Sequence, residues 1–122
     1  IFFSRSRQCS KTIRHQVFNQ SKAKFLILKL GERGTITFRK SALHPRDFFP
    51  LESLVKKFTD GIGAGDALLA VATLGLIVSK NIVISSILGS VAASIACENR
   101  GNKSIDTKDL IYKIKDIFNS KN

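Results

Sequence analysis

At 122 residues the chain is one domain or part of one, and an apolar content of 43% provides for a core and excludes wholesale disorder. The net charge of +11 is unevenly spread: residues 1–40 hold ten Lys/Arg against the single acid Glu32, whereas residues 41–122 hold ten against eight. Such an imbalance reads either as a solvated basic surface or as a field that attracts anionic ligands, and no zinc-finger spacing or aromatic-interleaved basic stretch supports nucleic acid as the partner.

Taken in order, the chain begins at Ile1 and contains no methionine, from which a fragment with its start upstream is expected. The opening IFFSRSR has too short an apolar core for a signal peptide. Residues 9–20 are polar, with Cys9, Ile13 and Val17 at four-residue spacing, which suggests a surface helix. KFLILKL at 24–30 is a short continuous apolar run, as in a buried strand, and Gly31-Glu32-Arg33-Gly34 turns the chain. Thr35-Ile36-Thr37-Phe38 alternates as a second strand, so the two form a hairpin. Pro45 and Pro50 punctuate residues 41–58, where a loop with short strand pieces is expected.

Two apolar stretches, 67–78 and 82–97, flank Ser79-Lys80-Asn81, and neither reaches the roughly 18 uninterrupted apolar residues of a membrane span. They read as two buried helices, at about 64–79 and 83–99, the second rich in small residues and stopped at Arg100-Gly101-Asn102. Cys97 is expected as a small buried hydrophobe. Asp106 can cap a last helix whose Leu110, Ile111, Ile114, Ile117 and Phe118 form an apolar stripe, with Lys108, Lys113 and Lys115 on the other side. His15 and His44 are isolated, with no metal-ligand spacing, and no CxxC points to disulfides or an oxidising compartment, so a cytoplasmic protein with no membrane partner is expected by default. Strand, strand, loop and three helices fit the end of an α/β domain better than a whole one.

The densest information lies in Asp60-Gly61-Ile62-Gly63-Ala64-Gly65-Asp66, immediately before a helix-forming run. A helix start offers free N–H groups and the positive end of a dipole, and glycines let backbone approach a ligand, so the loop suits phosphate. No Lys-Ser/Thr pair follows the glycines, which excludes a P-loop, and Asp66 stands where a dinucleotide fingerprint needs its third glycine. What remains is phosphoryl transfer with a carboxylate as base, against a glycine-rich turn before a helix with Asp66 as an N-terminal charge.

TDGIGAGDALLA at 59–70 resembles the D-T-x-G-A-G-D signature of the ribokinase-like (PfkB) carbohydrate kinases. KLGERG at 29–34 resembles that family's T-L-G-x-x-G, and SVAASIACENRG at 90–101 its alanine-rich helix and closing glycine. The phrases GAGDALLA, ILGSVAAS and ENRGN look most like modules related to heptose-phosphate kinases. The resemblance implies an α/β fold, the C-terminal portion of a ribokinase-like (Rossmann-like three-layer α/β/α) fold, with residues 1–122 a partial domain that lacks the sugar-binding part. It implies ATP-dependent phosphorylation of a sugar or sugar-phosphate hydroxyl, with Mg²⁺ and homodimerisation, and no turnover by this segment alone.

Residue by residue, the resemblance makes Asp66 the general base and the N–H groups of Gly63, Ala64 and Gly65 an anion hole. It places Gly31 and Gly34 against the nucleotide, Ser90 on the helix lining its pocket, and Asn99 and Gly101 in the loop closing over it. Asp60, with the carbonyl of Ile62, corresponds to a monovalent-cation (K⁺) site, or else Asp60 caps the loop. Two residues depart from the pattern: Gly61 replaces a non-glycine residue, and Lys29 replaces the common threonine, adding a phosphate contact or facing solvent. A nucleoside or other hydroxyl substrate on the same scaffold, a non-catalytic nucleotide-binding module and a basic nucleic-acid-binding domain are the rival readings. The acid retained beside the loop argues against a pure binder.

Overall fold

A short apolar run followed by glycines at both ends of a tight turn gives a hairpin at residues 25–39. The computed structural model describes residues 12–40 and 48–121. Helix α1 occupies 12–20, and the expected positions 9–11, Cys9 included, lie outside the described residues, as does His44. Strands β1 (Phe25–Lys29) and β2 (Thr35–Arg39) pair antiparallel, with Phe25 opposite Arg39 and Lys29 opposite Thr35. Between them Gly31–Arg33 form a 3₁₀ turn closed by the Leu30 N–H to the Gly34 carbonyl at 2.8 Å. Gly34 has φ 90°, and a Cβ there would lie 2.1 Å from the Leu51 carbonyl oxygen, so only glycine fits.

Residues 41–47, including Pro45, lie outside the described part; after them β3 (Phe48–Leu51) joins β2 antiparallel and Pro50 faces Ile36. Pro50 has no N–H to donate, which an edge strand of the described sheet tolerates. Thr35, Thr37 and Phe38 of β2 are buried, so this central strand is covered on both faces.

Helices α2 (Ala64–Ser79) and α3 (Ile82–Glu98) form an antiparallel hairpin. Lys80 ends α2 in the left-handed region, and the Asn81 side chain caps α3 by accepting from the Val83 and Ile84 N–H groups. Small residues set the spacing: a Cβ on Gly89 would stand 2.8 Å from Ala72 Cβ and 2.9 Å from the Leu68 carbonyl oxygen. Ser85 Oγ donates to the Ala72 carbonyl across the same seam. Val91 and Ala92 are sealed, and Thr35 Oγ1 lies 3.4 Å from Ser90 Oγ where α3 meets the sheet.

Two expectations need correction. Helix α3 is buried as expected, but α2 leaves Leu69, Leu74, Ile77 and Val78 exposed. A helix apolar all round does not reveal which of its faces a neighbour covers. In α4 (Thr107–Asn119) the stripe is narrower than expected: Ile111 and Phe118 are exposed, whereas Lys113 is buried. The reason is an acid on the neighbouring helix, since Lys113 Nζ reaches both oxygens of Glu98 at 2.6 and 2.8 Å. The expected cap holds, as Asp106 and Asp109 form a reciprocal capping box. Among the described residues no helix is long and apolar enough to cross a membrane.

Candidate functional site

The glycine loop is pinned from both sides before α2 begins. The N–H groups of Thr59 and Asp60 both donate to the Cys97 carbonyl, at 2.8 and 3.0 Å, tying the loop to the end of α3. Asp60 then accepts from the Ile62 N–H at 3.0 Å and, with its other oxygen, from the Gly101 N–H at 3.2 Å. Its carboxylate therefore clamps two loops 41 residues apart. Gly63 caps α2 with φ 77°, and Asn102 Oδ1 stands 2.6 Å from where a Cβ on Gly63 would be. Left-handed backbone and a close neighbour both demand glycine there.

The first turn of α2 follows. The Ala64 N–H turns back to the Gly61 carbonyl at 3.3 Å, and the Ala67 N–H makes the first regular bond, to the Gly63 carbonyl at 2.9 Å. Gly65 and Asp66 hold first-turn positions, whose donors a helix leaves without an internal partner. Above Gly65 lies the ammonium of Lys29, with Nζ 2.9 Å from the point a Cβ would occupy. Asp66 is exposed on the open side of the helix.

Beside this turn opens a cavity of about 600 Å³, within the range of small-molecule sites. One wall is the β1–β2 turn, with Lys29, Gly31, Gly34 and Thr35; a second is the strand-to-loop segment from Glu52 to Phe58. Ser90, Ala93, Ser94 and Cys97 of α3 form the floor, and Gly61 and Ala64 close the end nearest α2. Small residues on α3 make the space, because no larger side chain fills it. Cys97 is half-buried in this wall rather than sealed in the core, and burial raises its thiol pKa above the ordinary value, against a lowering by Lys29.

The structure thus brings together Lys29, Gly31, Gly34, Ala64 and Ser90 around one cavity, whereas Gly63, Gly65 and Asp66, next to Ala64 in the chain, do not line it. Asn99 and Gly101 stand outside that lining: the Asn99 amide donates to the Ile95 carbonyl at 2.7 Å, and Gly101 serves Asp60. Sequence reasoning missed the 52–58 wall and its anchor, where the Lys56 N–H donates to Glu98 Oε1 at 2.7 Å and Lys56 Nζ pairs with Asp116 at 2.8 Å. Nothing local marks these partners, which lie 42 and 60 residues away in sequence.

The sequence model described as pfkB family carbohydrate kinase matches residues 5–108. ATP-dependent 6-phosphofructokinase isozyme 2 of Mycobacterium tuberculosis, in two strains, is 25% identical over 96 residues, covering 79% of this chain and 27% of the relative. Among solved structures, phosphofructokinase-2 from Escherichia coli in complex with potassium superposes with a TM-score of 0.72 at 20% identity, over 89% of this chain and 34% of that one. Ribokinase from Thermotoga maritima gives a TM-score of 0.66 at 23% identity, over 76% of this chain and 30% of the other. The chain thus spans about a quarter to a third of the length of these proteins.

Proposed function

The chain belongs to the pfkB family of carbohydrate kinases and has a ribokinase-like α/β fold, and from that premise we propose that it binds ATP and serves its transfer to a sugar or sugar-phosphate hydroxyl. The observation that carries the reading is one juxtaposition: a cavity of about 600 Å³ ends at the N-terminus of α2, one turn of which bears Asp66 on its open side. The nucleotide lies between the Gly31–Gly34 turn and Ser90, with its phosphates running toward Gly63, Ala64 and Gly65. There the helix dipole and the first-turn N–H groups stabilise charge on the transferred group, the Ala64 N–H once it leaves the Gly61 carbonyl. Asp66 takes the proton from the acceptor hydroxyl as its oxygen bonds the γ-phosphorus. The bond from that phosphorus to the β-phosphate oxygen breaks, and ADP leaves.

Asn99 and Gly101 act through the loop clamp. Asp60 gives both oxygens to N–H donors, which supports its role as a loop cap; a K⁺ ion would share it with the Ile62 carbonyl. Mg²⁺ would enter with the nucleotide, held on its phosphates, its usual habit. The acceptor comes from the side of α2 that carries Asp66 and, at helical spacing, the exposed Leu69 and Ile77.

Calorimetry should show saturable ATP binding, and ATP should protect Cys97 from alkylation in a Cys9→Ser background at mildly alkaline pH. Where turnover is measured, Asp66→Asn should keep ATP affinity and lower kcat by about two orders of magnitude or more. Absence of saturable ATP binding, or a fully active Asp66→Asn variant, would end this reading.

A further inference from the structure

Between β3 and the glycine loop, residues 52–58 form no helix or strand and make one wall of the cavity. None of them is buried: Leu54 and Val55 are half-buried and Phe58 is 67% exposed. Both ends of the segment are fixed, since Leu51 pairs with Thr35 in the sheet and the Thr59 and Asp60 N–H groups hold the Cys97 carbonyl. Among the described residues, every hydrogen bond that leaves the segment belongs to Lys56. Its N–H donates to Glu98 Oε1 at 2.7 Å, and its ammonium meets Asp116 Oδ2 at 2.8 Å. Glu98 in turn holds Lys113, which stands one turn before Asp116 on α4. The contacts therefore close a ring, from the Lys56 backbone through Glu98, Lys113 and Asp116 back to the Lys56 side chain. The Lys56 hydrogen bond and, after it, the Lys113 charge hold the Asp116 carboxyl below its ordinary pKa, as neighbours in such a ring would.

We infer that residues 52–58 are a strap that opens locally at the cavity wall, and that α4, through Asp116 and Lys113, sets how often it does so. A segment with fixed ends, little buried apolar surface and a single polar attachment opens at a lower cost than the whole fold. The Thr59 and Asp60 bonds to Cys97 are separate from that attachment, so the strap can part from Glu98 while the glycine loop stays in place. Lys113 and Asp116 line no part of the cavity, so access to it is governed from outside the site. The two arms of the latch differ in strength. Lys56 and Asp116 are 47% and 39% exposed, so salt screens their pair, whereas Lys113 is buried against Glu98 and holds the fixed side. A closed strap retards the departure of whatever occupies the cavity. That last step rests on the nucleotide reading above; the strap itself does not.

Native-state amide exchange without nucleotide tests the strap, with protection factors read at Lys56, Thr59, Asp60 and Ala92, the last in the sealed part of α3. In the wild type, protection at Lys56 should be lower than at Ala92 and nearly indifferent to dilute urea, while that at Ala92 falls with it. Asp116→Asn should lower protection at Lys56 by about two- to fivefold, the worth of one exposed pair, and leave Thr59 and Asp60 unchanged. Added salt should lower it in the wild type and not in the variant. Stopped-flow dissociation of ATP should quicken in Asp116→Asn by the same factor of about two to five. Protection at Lys56 that follows Ala92 through urea, or that ignores both Asp116→Asn and salt, would overturn the strap. Faster exchange at Lys56 with unchanged ATP dissociation would overturn its control of the cavity. A wild-type protein that binds no ATP would remove the nucleotide reading, and the exchange measurements would still decide the strap.

Discussion

Replacing Lys113 with methionine is the sharpest test of how the cavity wall is held. Lys113 is 5% exposed, and its ammonium makes two bonds to Glu98, whose side chain is 23% exposed. Glu98 Oε1 also accepts the Lys56 N–H, so one carboxylate joins α3, α4 and the 52–58 segment. Methionine keeps the length and apolar stem of lysine but leaves Glu98 with the Lys56 N–H as its remaining partner. Breaking a fully buried ion pair costs about 3–5 kcal/mol, and the partial exposure of Glu98 reduces the expectation to about 2–3 kcal/mol. For a chain of this size that corresponds to a fall in Tm of roughly 8–12 °C.

Urea unfolding followed by far-ultraviolet circular dichroism measures the loss. Glu98→Gln in the Lys113→Met background removes the stranded charge while an amide oxygen still accepts the Lys56 N–H. This double variant should recover about 1–2 kcal/mol relative to the sum of the single changes. Because Lys56 lines the cavity, ATP affinity should fall in Lys113→Met and return in part in the double variant. A loss below about 0.5 kcal/mol, the size of an ordinary surface substitution, or strictly additive single changes would refute the reasoning.

Three further outcomes are expected. Gly34→Ala should cost about 3 kcal/mol or more, because the new Cβ meets the backbone of Leu51 and Glu52, whereas Gly31→Ala, strained in φ but facing open space, should cost about 1–2 kcal/mol; similar losses in urea titrations of the two variants would contradict this. Asp60→Ala removes the clamp between the glycine loop and Gly101, and should lower stability by about 1–3 kcal/mol and ATP affinity with it; unchanged amide-exchange protection at Ile62 and Gly101 would count against the clamp. A hydrogen bond from the Lys56 ammonium holds the Asp116 carboxyl below its ordinary pKa. Its small stabilisation is present above the usual carboxylate range and lost as pH falls through the depressed value, so wild type and Asp116→Asn should differ at neutral pH and converge in acid, and parallel urea midpoints across that range would exclude the effect.

Much of the site was legible in the sequence because its signals are local. Asp60 to Asp66 announce a phosphate-suited turn through residue types within one loop, and the Gly31–Gly34 turn and the Asp106 cap depend on neighbours three or four positions away. The same locality made α3 readable, since its run of Gly89, Ser90, Ala92 and Ala93 states how closely another helix can approach. Lys113 was not legible: its periodicity assigns it to solvent, and only the fold brings Glu98 within 2.6 Å. The bare face of α2 was hidden for the related reason that an all-round apolar helix carries no record of its neighbours.

The amino-acid sequence by itself therefore determined the chemistry available to this protein: a glycine-lined helix start suited to an anion, an acid one step beyond it, and membership of a carbohydrate kinase family. Tertiary structure alone decided the arrangement of that chemistry. It set Lys29 over Gly65 and left Asp66 exposed outside the cavity lining, opened that cavity against Cys97, and made Asp60 a clamp between two loops. Such relations join residues as much as 60 positions apart, as the Lys56–Asp116 pair does. Contacts across such distances are fixed by how whole elements pack together, which no local pattern encodes.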